Sequence, residues 1–152
     1  MSGRESKKGQ CLCGAVTVET ERLSDEISAC FCTLCTRWGG GMQMGIEAPQ
    51  DLVNISGPVK THRSSPLAER AWCDICGSSV WFRYVEGRDA GYFELSPGLF
   101  ENAGGAALTR IVYSDRAPDG FTLARGVTRV SQQQYEADNP HLNDGSDNND
   151  RL

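Results

Sequence analysis

Long apolar runs, clusters of basic residues and histidines are all scarce in this chain of 152 residues. No apolar stretch approaches the roughly 18 residues of a membrane-spanning helix, so the sequence predicts no membrane partner. Lysine and arginine form no stripe that could hold phosphates, so we expect no nucleic-acid partner. The two histidines are His62 and His141. Because His62 stands between Lys60 and Arg63 in a segment expected to be solvated, a histidine-based active site is not favoured.

The two ends of the chain are polar and differ from its middle. No apolar segment of a secretory signal follows Met1, so we predict a cytoplasmic protein. Residues 1–8 are predicted to be disordered, residues 9–138 to form one folded domain, and residues 139–152 to form an acidic disordered tail. The net charge is −5, and residues 138–152 contribute −3 of it through four Asp and one Arg. The folded body is therefore almost neutral.

Seven cysteines carry most of the chemical information in the sequence. Cysteines two or three positions apart can turn their sulfurs toward one point, as a tetrahedral metal requires. Four thiolates close a structural zinc site, whereas three leave one coordination position for water or substrate. The total of seven therefore suggests one structural site and one site with an open position. The three groups have the spacings C-x-C, C-x-C-x-x-C and C-x-x-C, and they are Cys11 and Cys13; Cys30, Cys32 and Cys35; and Cys73 and Cys76.

Other roles and other pairings are open to these cysteines. Structural disulfides are typical of secreted chains, whereas close cysteine pairs in a cytosolic chain are more often metal or redox sites. A thioredoxin-like redox motif needs a βαβ pattern, and none surrounds Cys73 and Cys76. Unpaired buried thiols are a third role. Spacing alone does not decide which cysteines share a metal, since Cys32 and Cys35 with Cys73 and Cys76 would make a zinc ribbon that leaves the other three over.

The fold class predicted from the sequence is mainly β. Short alternating segments between glycine and proline breaks predict strands. One short helix is predicted near the C-terminus, beginning at Ser131, where Ser131 and Gln134 form a capping box. The run of three glycines after Cys35, Gly39 to Gly41, is interpreted as a mobile loop. Small antiparallel sheets of this kind would be stabilised by metal cross-links. The predicted strands lie at residues 15–19, 41–47, 53–55, 79–85, 92–95 and 108–113.

The segments around the cysteines resemble the glutathione-dependent formaldehyde-activating enzyme family, which includes centromere protein V. Weaker support comes from Ser64-Ser65-Pro66 with Arg70, and from Asp115-Arg116-Ala117-Pro118. The resemblance runs from Gly9 to about Arg129. The three segments that carry it are Gly9-Gln10-Cys11-Leu12-Cys13-Gly14-Ala15-Val16, Cys30-Phe31-Cys32-Thr33-Leu34-Cys35 and Cys73-Asp74-Ile75-Cys76-Gly77-Ser78-Ser79.

This resemblance implies a β-tent fold that binds two zinc ions within residues 9–138. One departure from the family is Phe31, at a position where members commonly have histidine. The middle side chain of a C-x-C turn tends to point away from the metal, so Phe31 is expected to cost no ligand. Carried over by position, the structural zinc would be held by Cys11, Cys13, Cys73 and Cys76, and the second zinc, with an open position, by Cys30, Cys32 and Cys35.

The family name implies the addition of glutathione to formaldehyde, which gives S-(hydroxymethyl)glutathione. We therefore expect a zinc-dependent carbon–sulfur lyase-type enzyme, with Cys30, Cys32 and Cys35 at the reactive centre and a small thiol such as glutathione as its partner. Arg37 and Arg70 are the candidates for holding a substrate carboxylate. The alternative functions are a non-catalytic, zinc-stabilised protein-interaction module and a thiol-based metal or redox sensor.

Overall fold

The computed structural model describes residues 5–142, which form two compact units. The first unit comprises residues 5–26 and 45–107, and the second comprises the rest. The single domain predicted for residues 9–138 spans both units and stays a prediction. The first four residues and the tail from residue 143 onward, both predicted to be disordered, lie outside the described residues.

Strands predominate in the described residues, which confirms the mainly β prediction. Eleven strands and two α-helices follow one another along this part of the chain. In chain order they are β1 (Lys7–Gln10), β2 (Thr17–Thr20), β3 (Glu26–Cys30), α1 (Thr33–Gly39), β4 (Gln43–Pro49), β5 (Val53–Ser56), β6 (Val59–Ser65), β7 (Ala68–Cys73), β8 (Ser79–Tyr84), β9 (Tyr92–Leu95), β10 (Ala107–Val112), β11 (Thr128–Val130) and α2 (Gln132–Asp138).

The first unit contains two sets of antiparallel strands. One set has the order β1-β2-β5, and the other has the order β4-β9-β8-β7-β6. The alternation predicted for residues 15–19 is observed, since Val16, directly before β2, and Val18, on β2, are both buried. They belong to a core that also contains Trp81, Leu95 and Phe100. The predicted boundary at Gly9 falls inside β1, which pairs with β2 from Lys7 onward.

The second unit contains the strand order β11-β10-β3 and both α-helices. Strands β10 and β11 pair in parallel, an exception in a fold predicted to be built of small antiparallel sheets. The parallel pair is possible because a connection of 15 residues, 113–127, separates the two strands. The core of this unit combines Phe31, Ile111 and Tyr113 with two of the cysteines, Cys32 and Cys35.

Of the two helices, α2 was predicted from the sequence and α1 was not. Helix α2 begins where predicted, and the Ser131 hydroxyl accepts a hydrogen bond from the Gln134 backbone N–H at 3.1 Å. Helix α1 was not predicted, because its N-cap is a cysteine: the Cys32 sulfur accepts from the Cys35 N–H. The interpretation of the following glycines as a mobile loop is wrong in part. Gly39 is the last helical residue. Gly40, at φ 81°, ends the helix by donating its N–H to the Thr36 carbonyl.

One ionisable residue of the first unit is held in an unfavourable environment. Glu94 on β9 lies opposite Glu47 on β4. Gly45 leaves room for its side chain, since a Cβ at Gly45 would lie 2.6 Å from Glu94 Oε2. Burial, together with the negative charge of Glu47, raises the pKa of Glu94 to about 7. The native state therefore binds a proton at Glu94 more strongly than the unfolded chain does, where the pKa is about 4.5.

We expect the Glu94 contribution to the free energy of unfolding to be lost as the pH rises from about 4.5 to about 7, because the native state binds the proton more strongly. A pKa displaced by this much corresponds to at most about 3 kcal/mol. Glu94→Gln removes the charge and should raise Tm above wild type at about pH 8, and by much less at about pH 5. Thermal melts followed by circular dichroism measure both differences. Glu47→Gln, at an exposed position, is the control, and its Tm should rise by less than that of Glu94→Gln. Identical melting of Glu94→Gln and wild type at the higher pH would contradict the prediction.

Candidate metal centres

Four of the cysteines meet in the first unit. The sulfurs of Cys11, Cys13, Cys73 and Cys76 all lie within 4.8 Å of one another. The Sγ–Sγ distance is 3.6 Å from Cys11 to Cys13 and 3.8 Å from Cys13 to Cys73. A tetrahedron with zinc–sulfur bonds of about 2.3 Å has edges of about 3.8 Å, so the spacing fits zinc. A disulfide would need sulfurs about 2.05 Å apart, so these thiols are free.

Two tight turns bring these sulfurs together, and each ends in a glycine. Gly14 donates its N–H to the Cys11 carbonyl at 3.1 Å, and Gly77 donates to the Cys73 carbonyl at 2.8 Å. Their φ values are 79° and 76°, in the left-handed region that glycine enters without strain. The Val16 N–H also donates to the Cys11 sulfur at 3.3 Å, a bond that would stabilise negative charge on a thiolate ligand.

Ser78 connects the two turns and was not identified from the sequence as a functional residue. Its hydroxyl accepts from the Leu12 N–H at 3.0 Å and lies 3.1 Å from the Cys76 sulfur. Hydrogen bonds from Ser78 lower the pKa of Cys76 to about 5, which favours the thiolate that zinc binds. A hydroxyl two residues after a C-x-x-C pair is the signal that could have found it. Such outer hydrogen bonds orient ligands and tune a metal site.

The other three cysteines meet in the second unit. The sulfurs of Cys30, Cys32 and Cys35 lie within 4.8 Å of one another, and no further His, Cys, Asp or Glu of residues 5–142 joins them. The Cys32 N–H donates to the Cys30 sulfur at 3.3 Å, and the Cys35 N–H donates to the Cys32 sulfur at 3.4 Å. Strand β3 supplies the first sulfur and the start of α1 supplies the other two. The zinc-ribbon pairing of Cys32 and Cys35 with the last two cysteines is therefore wrong.

Without a positive charge nearby, the surroundings of these three thiols oppose the ionisation of Cys30 and Cys32. The neighbouring thiols of Cys32 and Cys35, and burial, raise the pKa of Cys30 well above its ordinary value. The bond with Cys30 lowers the pKa of Cys32, but Cys35 and burial outweigh it and raise that pKa to about 12. Three thiolates so close together need a compensating cation. A soft divalent metal such as zinc supplies that charge and displaces the protons.

Phe31, at the position where histidine is common in the family, packs into the core of the second unit. It is 1% exposed, and its ring meets the Phe121 ring edge to face at a centroid distance of 5.5 Å. The substitution therefore adds apolar contact and leaves the three sulfurs together.

The other candidate residues are dispersed. Arg37 lies on the last turn of α1, two residues after Cys35, and is exposed. Arg70 is 3% exposed, donates from Nε to the Ser64 hydroxyl at 3.0 Å and lies over the Phe82 ring at 4.9 Å. It belongs to the first unit, whereas Arg37 belongs to the second. His62 is exposed, as expected. Of the two arginines, only Arg37 shares a helix with a cysteine centre.

Comparison with known proteins adds three findings. The sequence model of the family described as glutathione-dependent formaldehyde-activating enzyme matches residues 6–116. A Schizosaccharomyces pombe protein named as an uncharacterized lyase is 29% identical over 118 residues, which cover 77% of this chain and 85% of the relative. A crystal structure of a Rhodobacter sphaeroides protein has a TM-score of 0.49 and 20% identity, over 62% of this chain and 87% of that chain. Among residues 5–142, no helix has the length and apolar character needed to cross a membrane.

Cys73→Ser removes one sulfur from the four-cysteine centre. We expect the loss of zinc from this centre and a fall in Tm of at least 10 °C, because a structural metal contributes folding free energy directly. Circular dichroism melts and elemental zinc analysis check both effects. Ile75→Ser is the control, since Ile75 lies in the same turn and is 69% exposed. A Cys73→Ser variant with wild-type Tm and zinc content would exclude a structural metal at these four cysteines.

Proposed function

Because the chain belongs to the glutathione-dependent formaldehyde-activating enzyme family, we propose that it is a zinc-dependent carbon–sulfur lyase-type enzyme acting on thiol–aldehyde adducts. The observation that carries this proposal is the three-cysteine centre of Cys30, Cys32 and Cys35. A set of three protein ligands is typical of catalytic zinc, whereas a set of four is typical of structural zinc. The fold alone would not support an activity, because one fold hosts many functions.

The proposed substrates are glutathione and formaldehyde. The thiol sulfur forms a bond to the carbonyl carbon, the carbonyl π bond opens, and the thiol proton ends on the new hydroxyl oxygen. The lyase direction is the reverse, with the carbon–sulfur bond breaking and the aldehyde released. Neither direction needs an oxidant or a reductant. Zinc bound by Cys30, Cys32 and Cys35 would supply a Lewis acid that acidifies the thiol and polarises the aldehyde oxygen.

The residues of the chain have three tasks in this proposal. The N–H groups of Cys32 and Cys35 donate to neighbouring ligand sulfurs and so stabilise their negative charge. The apolar core around Phe31, which includes the buried Cys32 and Cys35, excludes water from one side of the centre. Arg37, exposed at the end of α1, offers a guanidinium to a carboxylate of glutathione.

The proposal leaves a second function class open. A zinc-stabilised protein-interaction module is favoured by Leu12 and Ile75, which are 86% and 69% exposed in the turns of the four-cysteine centre. Exposed apolar side chains of this size are typical of contact surfaces when they occur together. The cytoplasmic location and the absence of a nucleic-acid partner stay predictions.

Cys35→Ser tests the reactive centre. We expect the rate of glutathione–formaldehyde adduct formation to fall to the rate in buffer, because the third ligand is lost while the fold keeps its structural centre. Exchange NMR measures the rate, circular dichroism measures the fold, and elemental analysis should show one zinc fewer than in wild type. The adduct also forms without a catalyst, so buffer is the reference. If the wild-type protein does not exceed the buffer rate, the proposed activity is wrong and the interaction module gains support.

Arg37→Gln tests how the substrate is held. We expect KM for glutathione to rise roughly tenfold with kcat nearly unchanged, because the lost contact would act on a part of the substrate remote from the reacting sulfur. Arg125→Gln is the control, since Arg125 is an exposed arginine of the same unit. An unchanged KM for Arg37→Gln would exclude Arg37 from substrate binding.

A further inference from the structure

Arg116 joins the helix of the three-cysteine centre to the C-terminal helix. Its Nη2 donates to the Thr33 hydroxyl at 2.8 Å, and its Nη1 donates to the Gln132 side-chain carbonyl at 3.2 Å. Thr33 is the first residue of α1 and Gln132 is the first residue of α2. A planar guanidinium holds two such bonds in a fixed geometry, whereas the donors of an ammonium group share one nitrogen and rotate. Arg116 therefore fixes the position of Thr33 relative to α2.

The backbone that presents Arg116 is itself in an unusual conformation. Tyr113, directly after β10, has φ 53°, in a region that a bulky residue rarely enters. The Arg116 N–H donates to the Tyr113 carbonyl at 3.0 Å and closes the turn. The Tyr113 hydroxyl donates to Glu136 at 3.2 Å, and its ring packs on Tyr135 at 5.5 Å. Such strain persists only where the surroundings determine the conformation, and here α2 provides two of the contacts.

Helix α2 is held to the same turn by further hydrogen bonds. The Gln132 N–H donates to the Asp115 carboxylate at 2.8 Å, and Gln132 Nε2 donates to Glu136 at 3.0 Å. These two bonds hold the backbone and the side chain of Gln132 in place, and its side-chain carbonyl accepts from Arg116 in that position. The family model ends at Arg116, so Gln132 and Glu136 come from a segment beyond the matched residues.

Thr33 occupies a sensitive place in the three-cysteine centre. It lies between Cys32 and Cys35, whose sulfur and N–H are bonded to each other at 3.4 Å across the first turn of α1. A shift of Thr33 would therefore displace two of the three sulfurs. Groups that hold ligands in place commonly change metal affinity by about 10- to 100-fold when they are removed.

We propose that Arg116 is a positioning residue for the metal at Cys30, Cys32 and Cys35, and that α2 completes this support from outside the family-matched segment. The proposal rests on the proposed function, since it requires that this centre binds metal. Arg116 acts through Thr33 and does not contact the metal or the substrate. Its loss should weaken metal binding at the three-cysteine centre and leave the four-cysteine centre unchanged.

The test uses the full-length protein and cobalt(II). The three-cysteine centre has one protein ligand fewer than the four-cysteine centre, so a mild chelator should remove its zinc first. The vacated centre is then titrated with cobalt(II) while the sulfur-to-cobalt absorption is recorded. We expect Thr33→Val and Arg116→Lys each to weaken cobalt binding by about tenfold. The double variant should lose little more than either single variant, because both changes break the same contact. Arg129→Gln is the control, since Arg129 is an exposed arginine that donates to the Leu123 carbonyl.

Each other outcome has a defined meaning. Wild-type cobalt affinity in Thr33→Val would overturn the proposal. Wild-type cobalt affinity in Arg116→Lys would also overturn it, because a positive charge alone would then suffice. Thr33→Val changes one hydroxyl only and keeps the test valid if an Arg116 variant does not fold. Retention of zinc at the four-cysteine centre shows that a loss of cobalt affinity is not a general loss of fold. If Cys35→Ser binds cobalt as tightly as the wild type, the three cysteines do not form a metal centre. The proposed function would then be wrong as well.

Discussion

The crowding of thiol groups at two points is the constraint on which the rest of the structure depends. Four sulfurs in one unit and three in the other lie within 4.8 Å of their neighbours. Bare thiols gain little from such proximity, and the raised pKa of Cys32, about 12, shows how poorly that group accommodates negative charge on its own. A divalent cation reverses this balance, because it replaces the protons and is attracted by every thiolate. The turns, the helix cap and the strand end that carry the cysteines hold the sulfurs at the spacing that such a cation would need.

The two centres meet the requirement in different ways, and the difference carries the functional argument. The four-cysteine centre is built from two glycine-terminated turns that Ser78 connects through Leu12 and Cys76. Its four sulfurs would make a complete ligand set for a structural metal, which would stabilise a small sheet with a modest core. The three-cysteine centre is built from the end of a strand and the start of a helix, and residues 5–142 bring it no fourth cysteine, histidine or carboxylate. Membership of the glutathione-dependent formaldehyde-activating enzyme family gives this incomplete set a plausible chemistry.

Several elements could be predicted because their signals are local. Val16, directly before β2, and Val18, on β2, are both buried as the alternation indicates, and β9 matches the predicted span of 92–95. The Ser131 cap needs only three following residues to be recognised. Strand β6 could not be found in this way, since most of its side chains are exposed and it forms by pairing with β7. Helix α1 was missed because a cysteine, which is not a common N-cap, fills the capping position.

The sequence by itself determined the number and spacing of the thiols. Their total of seven suggested a division into four and three, and the resemblance assigned the residues to each group. Spacing within a few residues fixes which sulfurs can share a turn, because the chain allows few conformations over that distance. Only the tertiary structure decided that Cys11 and Cys13 meet Cys73 and Cys76, since about 60 residues separate the pairs and strand pairing brings them together. The same holds for Arg116 and Thr33, whose contact spans 83 positions. Contacts of this range depend on the register of whole strands, which no short pattern encodes.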